Sequence, residues 1–125
     1  MSNPFLQPTG IYTYTLKLKR PAITTEGPTE AEAAIVARHW AYLQDLTSHG
    51  ILIFAGRTLV SNEESFASVV FRADSEEKAR SVMEGDPGVR EGIFRARLLP
   101  YEVMLMGLGP RRSPHHQPRV CYELA

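Results

Sequence analysis

A histidine stands where a helix that faces a protein core would normally carry an aliphatic residue. In the segment 29–50, apolar residues recur at helical spacing on one arc, and His39 falls in the middle of that arc. An imidazole in this position either has both ring nitrogens satisfied by buried partners, or it faces a cavity in which a ligand supplies the partner. His39 is therefore the first candidate for acid–base chemistry, and the structural and functional interpretations both stay open.

Asp86 is the second candidate, in the run Gly85-Asp86-Pro87-Gly88 directly after a predicted helix. An aspartate followed by proline is typical of the N-cap and first position of a short helix, which would explain the residue without any chemistry. A carboxylate is also the usual partner that orients an imidazole. The sequence alone does not choose between a cap and a partner.

The remaining polar residues carry weaker signals. Arg57 follows Ala-Gly at the end of a predicted strand, where a guanidinium either binds a carboxylate or is simply solvated. His115 and His116 do not predict a metal site with the single cysteine, Cys121, because adjacent side chains point in different directions. We expect no metal and no cofactor, since the sequence has no glycine-rich phosphate loop and no nucleophile elbow.

Length and charge limit the class of protein and its partners. A chain of 125 residues is long enough for one domain with its own core. Its 14 basic and 14 acidic side chains cancel, so we expect neither nucleic acid nor a membrane surface as a partner. No stretch approaches the roughly 18 apolar residues of a membrane span, and the N-terminus does not resemble a signal peptide. We therefore expect a cytoplasmic protein.

The elements that must position these residues follow in the order strand, helix, strand, strand, helix, strand. Strands are indicated by alternation, and helices by apolar spacing together with capping signals such as Thr29 with Glu32. This order predicts an α+β, ferredoxin-like βαββαβ fold, with an antiparallel four-stranded sheet and both helices on one face. The predicted ranges are strands 11–19, 51–55, 66–73 and 94–106, the last with a bend or edge at Pro100, and helices 29–50 and 76–85.

The composition of the strands indicates that the sheet face without helices is covered by a partner subunit. The strand 51–55 is apolar on both sides, so a face without helices needs a cover. Two sheets packed face to face would supply it, and we expect a homodimer in the form of a dimeric α+β barrel. Residues 1–109 would form the domain. Residues 110–125 would form a C-terminal extension whose apolar end docks on the partner subunit.

Three short motifs carry a resemblance to a known family. They are ARHWAYLQDL at 37–46, GILIFAG at 50–56 and EGDPGVREGI at 84–93. In order and spacing they resemble the YCII-related (YciI-like) domain family, over roughly residues 11–106. The resemblance implies a dimeric α+β barrel and a histidine–aspartate pair in a cleft, which carries over to His39 and Asp86. One kind of member is a dehydrochlorinase, while most have no assigned reaction.

Residues and resemblance together predict a cofactor-independent lyase or isomerase that acts on an organic acid or a ring-containing metabolite. His39 would be the general acid or base, Asp86 would orient it, and Arg57 and Tyr42 would contact the substrate. The sequence departs from the family at two positions: Arg57 stands where proline is frequent, and Gly88 stands where a bulky residue is common. The resemblance therefore does not predict which substrate this chain binds. The alternatives are a non-catalytic, dimeric module that binds a small ligand, and a cofactor-free oxygenase.

Overall fold

The computed structural model describes residues 7–107 and contains the predicted order of elements, with two short helices in addition. The strands form one sheet in the order β2-β3-β1-β4, and every neighbouring pair is antiparallel. The ferredoxin-like α+β prediction is therefore confirmed. The elements are β1 (Ile11–Leu18), α1 (Ile23–Glu26), α2 (Glu30–Ser48), β2 (Leu52–Arg57), β3 (Ala67–Arg72), α3 (Glu76–Gly85), α4 (Pro87–Arg90) and β4 (Phe94–Pro100).

The core lies between the sheet and the two long helices, α2 and α3. Tyr14 and Leu16 of β1 belong to one buried cluster with Leu43 of α2 and Met83 of α3. Tyr14 and Leu16 lie on the same face of β1 because alternate residues of a strand point to the same side. The alternation seen in the sequence thus identifies the face of the sheet that packs against the helices.

Helix α2 begins where its capping signal predicts. The Thr29 side chain accepts a hydrogen bond from the Glu32 backbone, and the Glu32 carboxylate accepts one from the Thr29 backbone. Arg20 also donates to the Glu32 carboxylate, at 2.6 and 2.8 Å, and this contact is the main cause that lowers the pKa of Glu32 to about 2. The start of the helix that carries His39 is therefore set by several local contacts.

The last strand is shorter than predicted. β4 ends at Pro100, whereas the apolar pattern predicted a strand that continues to Met106. Pro100 lies opposite Tyr12, and the Tyr101 amide donates to the carbonyl of Ile11, the first residue of β1. Beyond that point β1 offers no further residue to pair with, so the strand stops although its sequence remains apolar. β4 is an edge strand of the sheet, so the predicted edge position of Pro100 is confirmed, and Pro100 is also the last residue of the strand.

The face of the sheet opposite the helices has an apolar part and a cationic part. A register shift in β2 places Phe54 opposite Val70, and Val70 lies opposite Thr13 on β1. Thr13 lies opposite Leu99 on β4. Nearer the other end of β1 lie the cations Lys17, Arg95 and Arg97. We call this surface the helix-free face.

The C-terminal extension 110–125, with His115, His116 and Cys121, lies outside the described residues. Within residues 7–107, no helix is both long enough and apolar enough to cross a membrane.

Candidate functional site

The structure brings His39 and Asp86 into contact, although they are 47 residues apart in the chain. The His39 Nδ1 atom lies 2.7 Å from one carboxylate oxygen of Asp86 and 2.9 Å from the other. His39 is on the core side of α2, and Asp86 lies at the junction between α3 and α4. The two residues that the sequence analysis singled out for acid–base chemistry therefore form one pair.

Asp86 satisfies both interpretations of its sequence pattern at once. It is the N-cap of α4, because its Oδ1 accepts a hydrogen bond from the Gly88 amide at 2.9 Å, and Pro87 begins the helix. The same carboxylate binds the imidazole of His39. The cap fixes the backbone at Asp86, so the carboxylate is held in place by a contact that does not involve the histidine.

Tyr14 completes the site, although it is not among the functional residues predicted from the sequence. Its hydroxyl donates to Asp86 Oδ2 at 2.8 Å, and its side chain is completely buried. Burial, followed by the charge of Asp86 and the hydrogen bond to it, raises the pKa of Tyr14 well above its ordinary value. Tyr14 is thus a permanent donor at neutral pH. A tyrosine in the middle of a buried strand face needs a partner for its hydroxyl, and that need is the signal that points to it.

These contacts determine which nitrogen of the imidazole carries the proton. An ionised carboxylate only accepts hydrogen bonds, so Asp86 accepts from the Tyr14 hydroxyl, the Gly88 amide and the Nδ1 atom of His39. The neutral ring is then protonated on Nδ1, and its lone pair is on Nε2. Nε2 is the atom of this site that can take or give a proton.

The pair is buried in this conformation and does not lie in an open cleft. The exposed fraction of His39 is 1% and that of Asp86 is 0%. The Phe94 ring covers the imidazole, with ring centroids 5.0 Å apart and planes inclined by 58°. A Cβ atom on Gly88 would lie 2.7 Å from the Phe94 ring and 3.3 Å from His39 Nδ1, so the glycine makes room for this packing. This packing separates the imidazole from solvent.

The two predicted substrate contacts, Tyr42 and Arg57, lie on different elements of the fold. The Tyr42 hydroxyl donates to the Val82 carbonyl at 2.7 Å, so it ties α2 to α3. Burial, and secondarily the charge of Asp86, raises the pKa of this tyrosine. Arg57 ends the edge strand β2, two strands away from the β1 residue that binds Asp86. Their contact with a substrate stays a prediction.

Among residues 7–107, no group of three or more His, Cys, Asp or Glu side chains is placed to hold a metal ion.

Comparison with known proteins agrees with this fold. The model of the YCII-related domain matches residues 14–100. A similar solved structure is 5-chloro-2-hydroxyhydroquinone dehydrochlorinase from Burkholderia phenoliruptrix, in complex with 2,5-dihydroxybenzoquinone: 19% identity, TM-score 0.53, 73% of this chain and 93% of that chain covered. A dimeric ferredoxin-like protein from an uncultured marine organism is less similar, with 16% identity, TM-score 0.43 and coverage of 79% and 97%. None of the curated proteins matches this sequence.

Proposed function

The chain belongs to the YCII-related domain family, and we propose that it is a cofactor-independent enzyme that moves a proton on a small organic molecule. The observation that supports this proposal is the His39–Asp86 contact of 2.7 Å, held in place by the Tyr14 hydroxyl. A histidine with one nitrogen bound to a fixed carboxylate has a defined tautomer, and its other nitrogen is free to act as a base.

In this proposal His39 takes a proton from the substrate through Nε2. The imidazolium that forms is stabilised by the negative charge of Asp86, while Tyr14 and the Gly88 amide hold that carboxylate in position. Asp86 and Tyr14 are therefore positioning residues, and His39 is the candidate catalytic residue. A positioned general base contributes about 10²–10⁴-fold to a rate.

A lyase reaction of the elimination type is the version that can be tested first. The dehydrochlorinase with the similar fold acts on a hydroxylated chloroaromatic compound. Loss of HCl from such a compound needs a base to take the proton, while chloride leaves with the bonding electrons. Loss of HCl in this way requires no metal and no redox cofactor. We propose hydroxylated, ring-containing compounds as the substrate class, with Arg57 and Tyr42 as substrate contacts.

The test uses 5-chloro-2-hydroxyhydroquinone as the probe substrate and measures chloride release. We expect turnover by the wild-type protein and a loss of about 10² or more with His39→Asn, because asparagine keeps a donor for Asp86 but has no base. The matched control is His49→Asn, at the exposed C-cap of the same helix, which should leave the rate unchanged. Equal rates for wild type and His39→Asn would contradict the proposed role of His39.

One observation favours the non-catalytic alternative, a module that binds a small ligand. Both members of the pair are buried, and a buried, satisfied network stabilises a fold without doing chemistry. If the wild-type protein binds 2,5-dihydroxybenzoquinone but turns over no chlorinated probe, the binding function is supported instead. Calorimetric titration with that quinone, on wild type and His39→Asn, separates the two functions.

We also propose that the protein is a cytoplasmic homodimer joined through the apolar part of the helix-free face, which leaves its cationic part open. Phe54 and Leu99 are 40% and 36% exposed on that face, on either side of the buried Val70 and Thr13. Burial of Phe54 and Leu99 against a second copy would remove apolar area from water. Light scattering should return about twice the chain mass of 14.0 kDa at micromolar concentration, and a mass equal to one chain would rule the dimer out.

A further inference from the structure

Three cations are grouped at one end of the helix-free face. Arg95 and Arg97 are two residues apart on β4, so both point to the same side of the sheet, and both are exposed. Lys17 on β1 lies directly opposite Arg95, and Thr15 lies opposite Arg97. Residues directly opposite in an antiparallel pair have Cβ atoms about 5 Å apart, so this arrangement holds like charges close together.

Nothing in the described part of the chain neutralises this group. None of the ion pairs within residues 7–107 involves these cations; the Lys17 ammonium donates instead to the Glu63 backbone carbonyl, at 2.7 Å. Like charges directly opposite each other on a sheet are destabilising. A bound anion would remove that repulsion, and it would gain charge-assisted hydrogen bonds from two guanidinium groups.

The cations line a cavity that has an aromatic wall. The cavity has a volume of about 520 Å³ and is lined by Thr15, Lys17, Phe66, Arg95, Ala96 and Arg97. Its lining contains no acidic side chain. The Phe66 side chain is 43% exposed, so its ring is available for contact with a ligand. A cavity of this size accommodates a small organic molecule, whose carboxylate the arginines would hold while its ring packs against Phe66.

We propose that this cavity is a binding site for a small aromatic carboxylate. It is separate from the His39–Asp86 pair, because Tyr14, which binds Asp86, and Thr15 are neighbours on β1 and point to opposite faces of the sheet. The proposal therefore does not depend on the proposed enzymatic function. Arg95 and Arg97 hold the carboxylate, Lys17 adds positive charge, and Phe66 selects an aromatic ring.

The test is a calorimetric titration of the full-length protein, in its native assembly, with benzoate. Benzamide serves as the uncharged probe, and inorganic phosphate serves as an anion without a ring. We expect saturable binding of benzoate, weaker binding of the other two, and a loss of about tenfold in benzoate affinity with Arg97→Gln. Phe66→Ala should weaken benzoate binding while leaving phosphate binding unchanged.

The matched control is Arg72→Gln. Arg72 is an exposed arginine on the same face of the sheet, on β3 opposite Ile11, away from the cavity. Its replacement removes the same charge and should change benzoate affinity by less than about twofold. The proposal is overturned if benzamide binds as tightly as benzoate, if phosphate binds more tightly, or if Arg72→Gln weakens binding as much as Arg97→Gln. Absence of saturable benzoate binding up to about 20 mM would also overturn it.

Discussion

Replacement of Asp86 by alanine is expected to lower the free energy of unfolding by about 3–5 kcal/mol. The substitution removes an acceptor that serves three donors at once, the Tyr14 hydroxyl, the Gly88 amide and the His39 Nδ1 atom. Asp86 and Tyr14 are completely buried, so water does not replace the lost acceptor. The N-cap of α4 is lost in the same step. Urea denaturation followed by circular dichroism measures the change.

Two further variants make this result specific. Asp86→Asn keeps the size and one acceptor oxygen but turns its amide donor toward other donors, so we expect a smaller loss of about 1–3 kcal/mol. Asp74→Ala removes an exposed aspartate whose side chain pairs with Lys78 at 3.2 Å, and should cost less than about 1 kcal/mol. If Asp86→Ala and Asp74→Ala cost the same, the buried network does not stabilise the fold as described.

Gly88→Ala is expected to destabilise the protein by about 1–3 kcal/mol, although alanine is the smallest possible change from glycine. The added Cβ would lie 2.7 and 2.8 Å from two carbons of the Phe94 ring, closer than unbonded atoms approach. Both residues are buried, so the ring has no solvent-filled space into which to move. The free energy of unfolding and the His39 resonances in an NMR spectrum would both report the displacement.

The contact between residues 88 and 94 is tested by a double-mutant cycle. Phe94→Ala alone should cost about 3–5 kcal/mol because it leaves a cavity beside His39. In the double variant the alanine at position 88 no longer contacts a ring. The double variant should therefore lose less free energy of unfolding than the sum of the two single losses, by about 0.5–3 kcal/mol. Gly56→Ala is the control, since a Cβ there meets nothing within 4 Å and should change stability by less than about 0.5 kcal/mol. Additive costs would show that Gly88 does not make room for Phe94.

Gly88 and Phe94 together determine the packing beside the imidazole of His39. Gly88 carries no side chain, and Phe94 occupies the space beside the imidazole. Phe94 of β4 therefore forms a wall of the candidate site. Under the proposed function, a substrate that reaches His39 has to displace or accommodate the Phe94 ring.

Much of the fold follows from signals that act over a few residues. The Thr29–Glu32 capping box sets the start of α2, and the Asp86-Pro87 step sets the start of α4. The alternation along β1 identifies the face that packs on the helices. Each signal depends only on near neighbours in the chain, so it can be recognised in the sequence without knowledge of the tertiary structure.

The candidate site depends on contacts between residues far apart in the chain. The tertiary structure determines those contacts. The sequence placed a histidine on an apolar helix face and an aspartate at a helix start, and the family resemblance joined them. That Tyr14, 72 residues before Asp86, binds the same carboxylate follows from the packing of β1 beneath α4 and α2. The end of β4 likewise depends on where β1 begins, and the closure of the site depends on the fit of Phe94 against Gly88. Strand pairing and side-chain packing bring such groups together, and both involve contacts between residues that are far apart in the chain.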